Sequence, residues 1–170
     1  MLDEGHRGMV DDGTGVDERV ALVVRSIRRD DVPAIVAMLA DDPLGAARER
    51  YAEPIPDCYW RAFEAVQDNP SVDILVAEAD GAVVGCLQLA MTPGLARQGM
   101  TRAQIEAVRV AGTERGRRIG EAMVEEAIRR AKAAGCGLVE LTTDKRRPDA
   151  HRFYERLGFA ATHEGMKLML

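Results

Sequence analysis

The chain has few of the features that mark disulfide-linked, membrane-spanning or nucleic-acid-binding proteins. Its three cysteines are widely spaced and include no Cys-x-x-Cys pair, so neither a disulfide framework nor a cysteine metal site is expected. No apolar run approaches the roughly 20 residues that cross a bilayer, and no secretory signal is expected from the N-terminal residues. A net charge of −5 argues against nucleic acid as the main partner.

The composition that remains is typical of a single globular domain. With 170 residues, 46% of them hydrophobic, the chain is long enough to bury a full core. Residues 1–19 are rich in Gly and Asp and predict a flexible N-terminal tail, which leaves residues 20–170 as the domain. Cys58, Cys86 and Cys136 are expected to be reduced core thiols of a cytoplasmic protein. We expect no metal, since His6, His151 and His163 share no ligand spacing, and no membrane partner; a homodimer stays open.

Apolar periodicity and turn residues predict alternating strands and helices. Strands are predicted at 20–27, 72–77, 82–91, 102–111 and 138–143, with a last β region from Gly158-Phe159 to Leu170; helices are predicted at 28–40, 57–67, from Ile119 to Ala134, and at 147–156. Asp80-Gly81 between the second and third strands is a type I′ hairpin signal. The order predicts an α/β fold built on a mixed sheet.

The most informative stretch is a basic, glycine-containing loop between a β-type run and a helix. Arg115–Gly120 holds three arginines and two glycines; it follows Ala107–Val110 and precedes a helical stripe. The first-turn N–H groups of a helix have no intrahelical partner, and the helix dipole places partial positive charge there. Because glycine also lets a ligand approach the backbone, the arrangement is typical of a diphosphate site. The alternative is a solvated basic turn before a surface helix.

The loop differs from the common nucleotide-binding loops. It lacks the Gly-Lys-Ser/Thr ending of a Walker A loop, and Gly116 and Gly120 stand four apart, which does not fit Gly-x-Gly-x-x-Gly. It resembles the Arg/Gln-x-x-Gly-x-Gly/Ala loop of the GNAT superfamily, the acyl-CoA-dependent N-acetyltransferases. Arg115 matches the first position of that loop and Gly120 its last, whereas Arg118 stands at the middle glycine.

A second motif strengthens the resemblance. The chain matches the Ala-x-x-Phe-Tyr-x-x-x-Gly-Phe signature of the superfamily at Ala150, Phe153, Tyr154, Gly158 and Phe159. The Asn that is common three residues before the Ala is Arg147 here. Together the motifs extend the resemblance from about Ala82 to Phe159. The run Leu141–His151 is also similar to a functionally mixed subgroup that includes aminoalkylphosphonate acetyltransferases.

The resemblance implies a fold, a co-substrate and a set of binding residues. The implied fold is a GNAT-like mixed, mostly antiparallel sheet with helices on both faces and a splayed central strand pair. The implied co-substrate is acetyl-CoA. The residues that the resemblance places against it are Val108, Arg109, Val110, Arg115, Gly116, Arg117, Arg118, Ile119, Gly120, Glu121, Arg147, Ala150 and Phe153.

In the strand around Ala107, the apolar positions change from odd to even numbers. Ile105 and Ala107 would lie on one face of a regular strand, whereas Val108 and Val110 are the next apolar pair. A β-bulge between Ala107 and Val108 would produce this slip, and a sheet buried on both faces would produce it too. The GNAT folds that the chain resembles carry a bulge in the corresponding strand, where it admits the acyl-CoA.

Acyl transfer to an amine requires a base and an acid. An amine with a pKa near ~10.4 is only about one part in a thousand neutral at pH 7, a deficit of roughly 4–5 kcal/mol. Glu106, just before the proposed bulge, is the candidate base, and the N–H of Val108 is the candidate donor to the carbonyl oxygen. Tyr154 is the candidate acid for the departing thiolate. The alternatives are a solvated strand carboxylate for Glu106 and a packed aromatic for Tyr154; His151 is left as a surface or supporting residue.

These features predict an N-acetyltransferase that moves an acetyl group from acetyl-CoA to a primary amine of a small molecule or a peptide by direct attack. One alternative is a non-catalytic acyl-CoA-binding module of the same fold with a regulatory role. Another is an unrelated domain that binds ATP or NAD at the Arg/Gly loop. For the acceptor, Asp57 and Glu53 would suit a cationic amine and Arg97 and Arg102 an anionic group, and none of these four is assigned.

Overall fold

The computed structural model describes residues 22–42 and 46–170. Its strands are β1 (Val23–Ser26), β2 (Val72–Ala79), β3 (Ala82–Thr92), β4 (Arg102–Val110) and β5 (Leu138–Leu141). Its helices are α1 (Val32–Ala40), α2 (Asp57–Gln67), α4 (Ile119–Ala133) and α5 (Pro148–Arg156), and α3 (Ala96–Gly99) is a four-residue turn in which Arg97 and Gln98 have positive φ angles. The predicted tail, residues 1–19, lies outside the described residues, so the proposed division of the chain stays a prediction. No helix in the described ranges is long and apolar enough to cross a bilayer.

The five strands form one sheet in the order β1-β2-β3-β4-β5. Neighbours are antiparallel except β4 and β5, which run parallel and are joined through α4. The β2–β3 hairpin turns at Asp80 and Gly81, whose φ angles of 51° and 77° are both positive, as a type I′ turn requires. The mixed, mostly antiparallel sheet is therefore confirmed.

Both faces of the sheet are covered because its central strands are apolar on both sides. Along β2, Leu75 and Ala77 belong to a core cluster with Met123 and Val124 of α4. The intervening Val76 belongs to a second cluster with α1 and Cys86. Successive strand residues point to opposite faces, so this alternation places α4 on one side and α1 and α2 on the other. The expectation of helices on both faces is confirmed.

A β-bulge divides β4 into two halves. Arg109 pairs with Cys86 and Glu106 pairs with Gln88, which leaves Ala107 and Val108 together opposite the single residue between those partners. Ala107 has a φ of 50°, a left-handed conformation that a non-glycine residue rarely adopts. The register with β5 ends at Ile105 and Leu141, so β4 leaves β5 where the bulge begins. This confirms both the predicted bulge and the splayed strand pair.

Three expectations about local structure are wrong. The β region predicted to reach Leu170 is not a strand. Phe159, at its start, packs against the core, but Met166 and Leu168 are 97% and 86% exposed, so burial does not hold the later part of the segment against the sheet. The fifth strand ends at Leu141, before the expected boundary, because β4 has turned away from it. Cys58 is exposed on α2.

The buried position of Cys86 has a chemical consequence. All three cysteines are free thiols, and Cys86 is the buried one. Burial raises the pKa of Cys86 to about 12, because the interior disfavours the thiolate. Its Sγ lies 4.0 Å from the carbonyl oxygen of Ala107. Cys86 is therefore an inert packing residue beneath the bulge.

Leu75→Ala tests whether the cluster between the sheet and α4 is the stabilising core. Leu75 is fully buried, so truncation should lower the free energy of unfolding by about 2–5 kcal/mol through lost burial and a cavity. The control is Leu95→Ala, because Leu95 is 98% exposed and a surface change should stay within about 0.5 kcal/mol. Urea denaturation measures both, and equal losses would contradict the assignment of the core.

Candidate active site

A cavity of about 640 Å³ lies where the C-terminal half of β4 meets the start of α4 and the inner face of α5. It is lined by Val108, Val110, Glu114, Arg115, Gly116, Arg118, Ile119, Gly120, Glu121, Phe153, Tyr154, Arg156 and Leu157. The two sequence motifs, about thirty residues apart along the chain, thus meet at one cavity. The start of α4 and the inner face of α5 form two walls of the cavity. The bulged half of β4 forms the third, since the bulge turns Val108 and Val110 to the side of α4.

The loop before α4 contains two residues in the left-handed region. Gly116 has a φ of +83°, and Arg118, the N-cap residue of α4, has a φ of 59°. Arg118 occupies the position that is the middle glycine of the loop motif in the family. Its left-handed conformation shows why glycine suits that position. An L-residue there carries a cost of roughly 1–2 kcal/mol. The loop keeps the turn that the motif requires although the glycine is missing.

Gly120, in the first turn of α4, allows the helix to approach the other two walls. A Cβ at this position would lie 3.5 Å from Cζ of Phe153 and 3.6 Å from Cγ2 of Val110. These are ordinary contact distances, so a methyl group would fit and anything larger would project into the cavity. The helix N-terminus, with its free N–H groups and partial positive charge, is therefore open to an anion.

The three loop arginines have different surroundings. Arg117 Nη1 lies 2.5 Å from Oε2 of Glu114. Arg118 donates from Nε and Nη2 to the two carboxylate oxygens of Glu121, at 2.8 Å and 2.5 Å, and this contact lowers the pKa of Glu121. Arg115 has no hydrogen bond or ion pair with any residue that the structure describes. It is therefore the loop guanidinium most available to a ligand.

Four of the predicted binding residues lie outside the cavity lining: Arg109, Arg117, Arg147 and Ala150. Strand alternation explains Arg109, which stands between two cavity residues and so faces the other side of the sheet. There its Nη2 lies 3.4 Å from Oδ2 of Asp42, and Arg147 Nη2 lies 2.5 Å from the same atom. The buried carboxylate of Asp42 joins the end of α1 to β4 and to the start of α5.

Sequence reasoning missed several residues. Glu114, Arg156 and Leu157 line the cavity. The last two follow Phe153 by three and four residues, and helical spacing from that position would have found them. Asp42 carried no signal, because its arginine partners are 67 and 105 residues away in the chain.

Tyr154 lines the cavity, and its hydroxyl is unengaged. Its ring packs edge-on against Phe153 and Phe159, with centroids 5.0 Å and 5.9 Å apart. Within the described residues its hydroxyl makes no hydrogen bond. Burial raises the pKa of Tyr154, and the positive charges of Arg109 and Arg147 only partly oppose this. The hydroxyl is therefore protonated at neutral pH and available as a donor.

Glu106 lies on the opposite side of the sheet from the cavity. Ala103 and Ile105 pack in the cluster under α4, so Gln104 and Glu106 face the side of α1 and α2. The two carboxylate oxygens of Glu106 accept hydrogen bonds from Nε2 of Gln88 at 3.2 Å and from Nε2 of Gln104 at 3.0 Å. These two amides orient the carboxylate beside the bulge. The bulge thus separates the cavity from a fixed, exposed carboxylate.

Comparison with known proteins identifies the family. Residues 33–159 match the model of the Acetyltransferase (GNAT) family. The chain belongs to this family. Both motifs that carried the resemblance lie inside the matched range, so that expectation is confirmed.

Two solved structures share the fold of this chain, and the individual relatives differ in their descriptions. A crystal structure of a transcriptional regulator from Bacillus halodurans C-125 is 47% identical, with a TM-score of 0.87 over 88% of this chain and 100% of that one. A putative acetyltransferase from Agrobacterium tumefaciens is 28% identical, with a TM-score of 0.72 over 87% of this chain and 99% of that one. An aminoalkylphosphonate N-acetyltransferase from Salmonella typhimurium is 36% identical over 59% of this chain, a match that spans 65% of that relative's length.

Gly120→Glu tests whether the cavity is a coenzyme site. The new side chain would project past Phe153 and Val110 into the cavity and place a negative charge at the helix N-terminus. Binding of acetyl-CoA should be lost in isothermal titration while the circular dichroism spectrum is unchanged. The control is Ala133→Glu, which adds the same charge at the exposed end of α4 and should bind normally. Wild-type affinity in Gly120→Glu would contradict the assignment of the loop.

Proposed function

We propose that the protein is an acetyl-CoA-dependent N-acetyltransferase that acts on a primary amine of a small molecule or a peptide. The observation that carries the proposal is one cavity, bounded by the N-terminus of α4, the bulged half of β4 and the hydroxyl of Tyr154. We infer a cytoplasmic location, which agrees with three free cysteines.

The residues of the cavity fit a coenzyme with a diphosphate and a long, flexible pantetheine arm. The start of α4 and the guanidinium of Arg115 would hold the diphosphate. Val108, Val110 and Phe153 would contact the pantetheine arm where β4 leaves β5. When bound there, acetyl-CoA supplies an acetyl group already activated as a thioester. Arg147, held by Asp42, is less suited to this role than the sequence motif suggested.

Glu106 would take the proton of the acceptor amine. It lies on the face of β4 opposite the cavity, so the amine would approach from the side of α1 and α2. The proton passes to Glu106 directly or through a water molecule, and the amine nitrogen then bonds to the carbonyl carbon. Because Gln88 and Gln104 fix the carboxylate, its orientation is set before the amine arrives.

Two groups at the bulge and on α5 would complete the transfer. Val108 has no partner in the register with β3 or with β5, and its N–H would donate to the carbonyl oxygen as negative charge develops there. The carbon–sulfur bond then breaks, and the Tyr154 hydroxyl gives its proton to the departing thiolate. The nitrogen loses its second proton as it becomes an amide, and this proton would restore the hydroxyl of Tyr154. Burial keeps that proton on Tyr154 until the thiolate forms.

An amine with an anionic group is the first acceptor to examine. Arg109 and Arg147 lie on the side from which the amine would enter, and their two positive charges exceed the single negative charge of the Asp42 carboxylate that they share. The similarity to an aminoalkylphosphonate N-acetyltransferase supports the same choice. Thiol release from acetyl-CoA, measured against aminoalkylphosphonates, neutral amines and peptide N-termini, tests the function. Release with none of these amines would contradict it.

A regulatory role is the second candidate. The observation that favours it is the 47% identity to a protein described as a transcriptional regulator. A module that binds acyl-CoA without turnover should keep its affinity after loss of Glu106 and Tyr154, and it should release no thiol with any amine. The thiol-release assay therefore distinguishes the two candidates, because only the enzyme should release CoA thiol.

Tyr154→Phe removes only the proposed acid. The rate constant kcat should fall by about 10²–10⁴, the usual contribution of a positioned acid, with little change in the KM for acetyl-CoA. Steady-state kinetics measures both constants. Tyr51→Phe is the matched control, because Tyr51 is exposed and lies outside the cavity. An unaltered kcat in Tyr154→Phe would reduce this residue to a packing role.

Glu106→Gln removes the proposed base while keeping the shape of the side chain. The rate should fall most at neutral pH and least near the pKa of the acceptor amine, about 10.4, where the amine is already neutral. A pH–rate profile measures the effect, with Glu140→Gln on β5 as a control strand carboxylate. A profile that keeps its shape would mean that water alone removes the proton.

A further inference from the structure

We propose that Glu114 and Glu121 are resident counter-anions of the diphosphate loop. They occupy Arg118, which lines the cavity, and Arg117, which lies outside the lining, until the coenzyme diphosphate displaces them. They would therefore set both the affinity of the loop and its preference for diphosphates over simpler anions. The inference rests on the proposed function in one respect, that the cavity binds CoA.

The two glutamates stand where the diphosphate would approach. Both line the cavity, together with Arg115 and Gly120. Glu114 precedes the basic loop and Glu121 belongs to the first turn of α4. A carboxylate at either place repels an incoming anion unless an arginine neutralises it.

Each glutamate has such an arginine within reach. Glu114 meets Arg117 at 2.5 Å, and Glu121 accepts two hydrogen bonds from Arg118, at 2.5 Å and 2.8 Å. The partners stand three residues apart in both pairs. The loop therefore contains its own anions, and Arg115 is left as the loop arginine without one among the described residues.

These pairs are well suited to exchange. The side chains of Arg117 and Arg118 are 52% and 80% exposed, whereas those of Glu114 and Glu121 are 21% and 26% exposed. Because each arginine reaches solvent, the two ion pairs are screened and contribute little to stability. A diphosphate offers more oxygens and more negative charge than a carboxylate, and arginine binds such groups in a bidentate way. The coenzyme should therefore displace the glutamates, whereas a single phosphate should compete poorly.

Isothermal titration of CoA into Glu121→Gln and Glu114→Gln tests the inference. Each change should tighten binding about threefold to tenfold, because it removes a like charge and frees an arginine. The gain should shrink as salt is added. Inorganic phosphate is the second probe, and it should gain more from each change than CoA does.

The control is Glu126→Gln, which removes the same unit of charge from α4. Glu126 pairs with Arg129 and Arg130 and does not line the cavity. CoA affinity should therefore change little in this variant. Equal gains in Glu126→Gln and Glu121→Gln would show an effect of net charge alone and would overturn the inference.

A double-mutant cycle examines the proposed pairing directly. If Glu121 acts by occupying Arg118, then Glu121→Gln should have a smaller effect in an Arg118→Gln background. Weaker CoA binding in both Glu121→Gln and Glu114→Gln would mean that the glutamates order the loop. The inference would then fail, but the proposed binding of CoA by the wild-type protein would be unaffected. A wild-type chain that binds no CoA would overturn the proposed function and this inference with it.

Discussion

The backbone of β4 at Ala107 is the constraint on which the rest of the site depends. One additional residue opposite β3 moves Val108 and Val110 to the side of α4, while Glu106 stays on the opposite face. The same point is where β4 leaves β5, since their register ends at Ile105. A regular strand would reverse the side on which each later residue lies and would continue its ladder. The bulge thus makes the opening between the strands and separates the two sets of polar groups that face it.

The charges around this opening are arranged in two groups. On the cavity side, the loop before α4 places arginines and glutamates at a helix N-terminus. On the other side, Asp42 holds Arg109 and Arg147 and so connects α1, β4 and α5. A buried carboxylate of this kind is costly unless it is paired, and the two guanidinium groups of Arg109 and Arg147 compensate its charge. The net charge of the chain is negative, yet three guanidinium groups, those of Arg115, Arg118 and Arg156, line the cavity in which an anionic coenzyme would bind.

Most of the sheet and one wall of the site could be predicted from local patterns. Asp80-Gly81 specified its hairpin because two successive positive φ angles need those residue types. The parity change at Ala107 fitted either a bulge or a sheet buried on both faces, since strand alternation has a strict period of two, and the resemblance to GNAT folds favoured the bulge. The same local reasoning failed at Cys58, which is exposed, and at the segment before Leu170, which is not a strand. In both places the outcome depends on whether another element covers the side chain, and no local pattern records that.

The sequence by itself determined the order of the elements, the Arg/Gly loop, the tyrosine motif and the position of the bulge, because each depends on residues within about one turn or one hairpin. Only the tertiary structure decided which residues share a cavity. It brought Phe153 and Tyr154 against α4, and it turned Arg109 away from the place that its neighbours suggested. It also paired Arg147 with Asp42 across 105 residues. Such pairings follow from the packing of whole elements and from the neutralisation of a buried charge, which spacing along the chain does not encode.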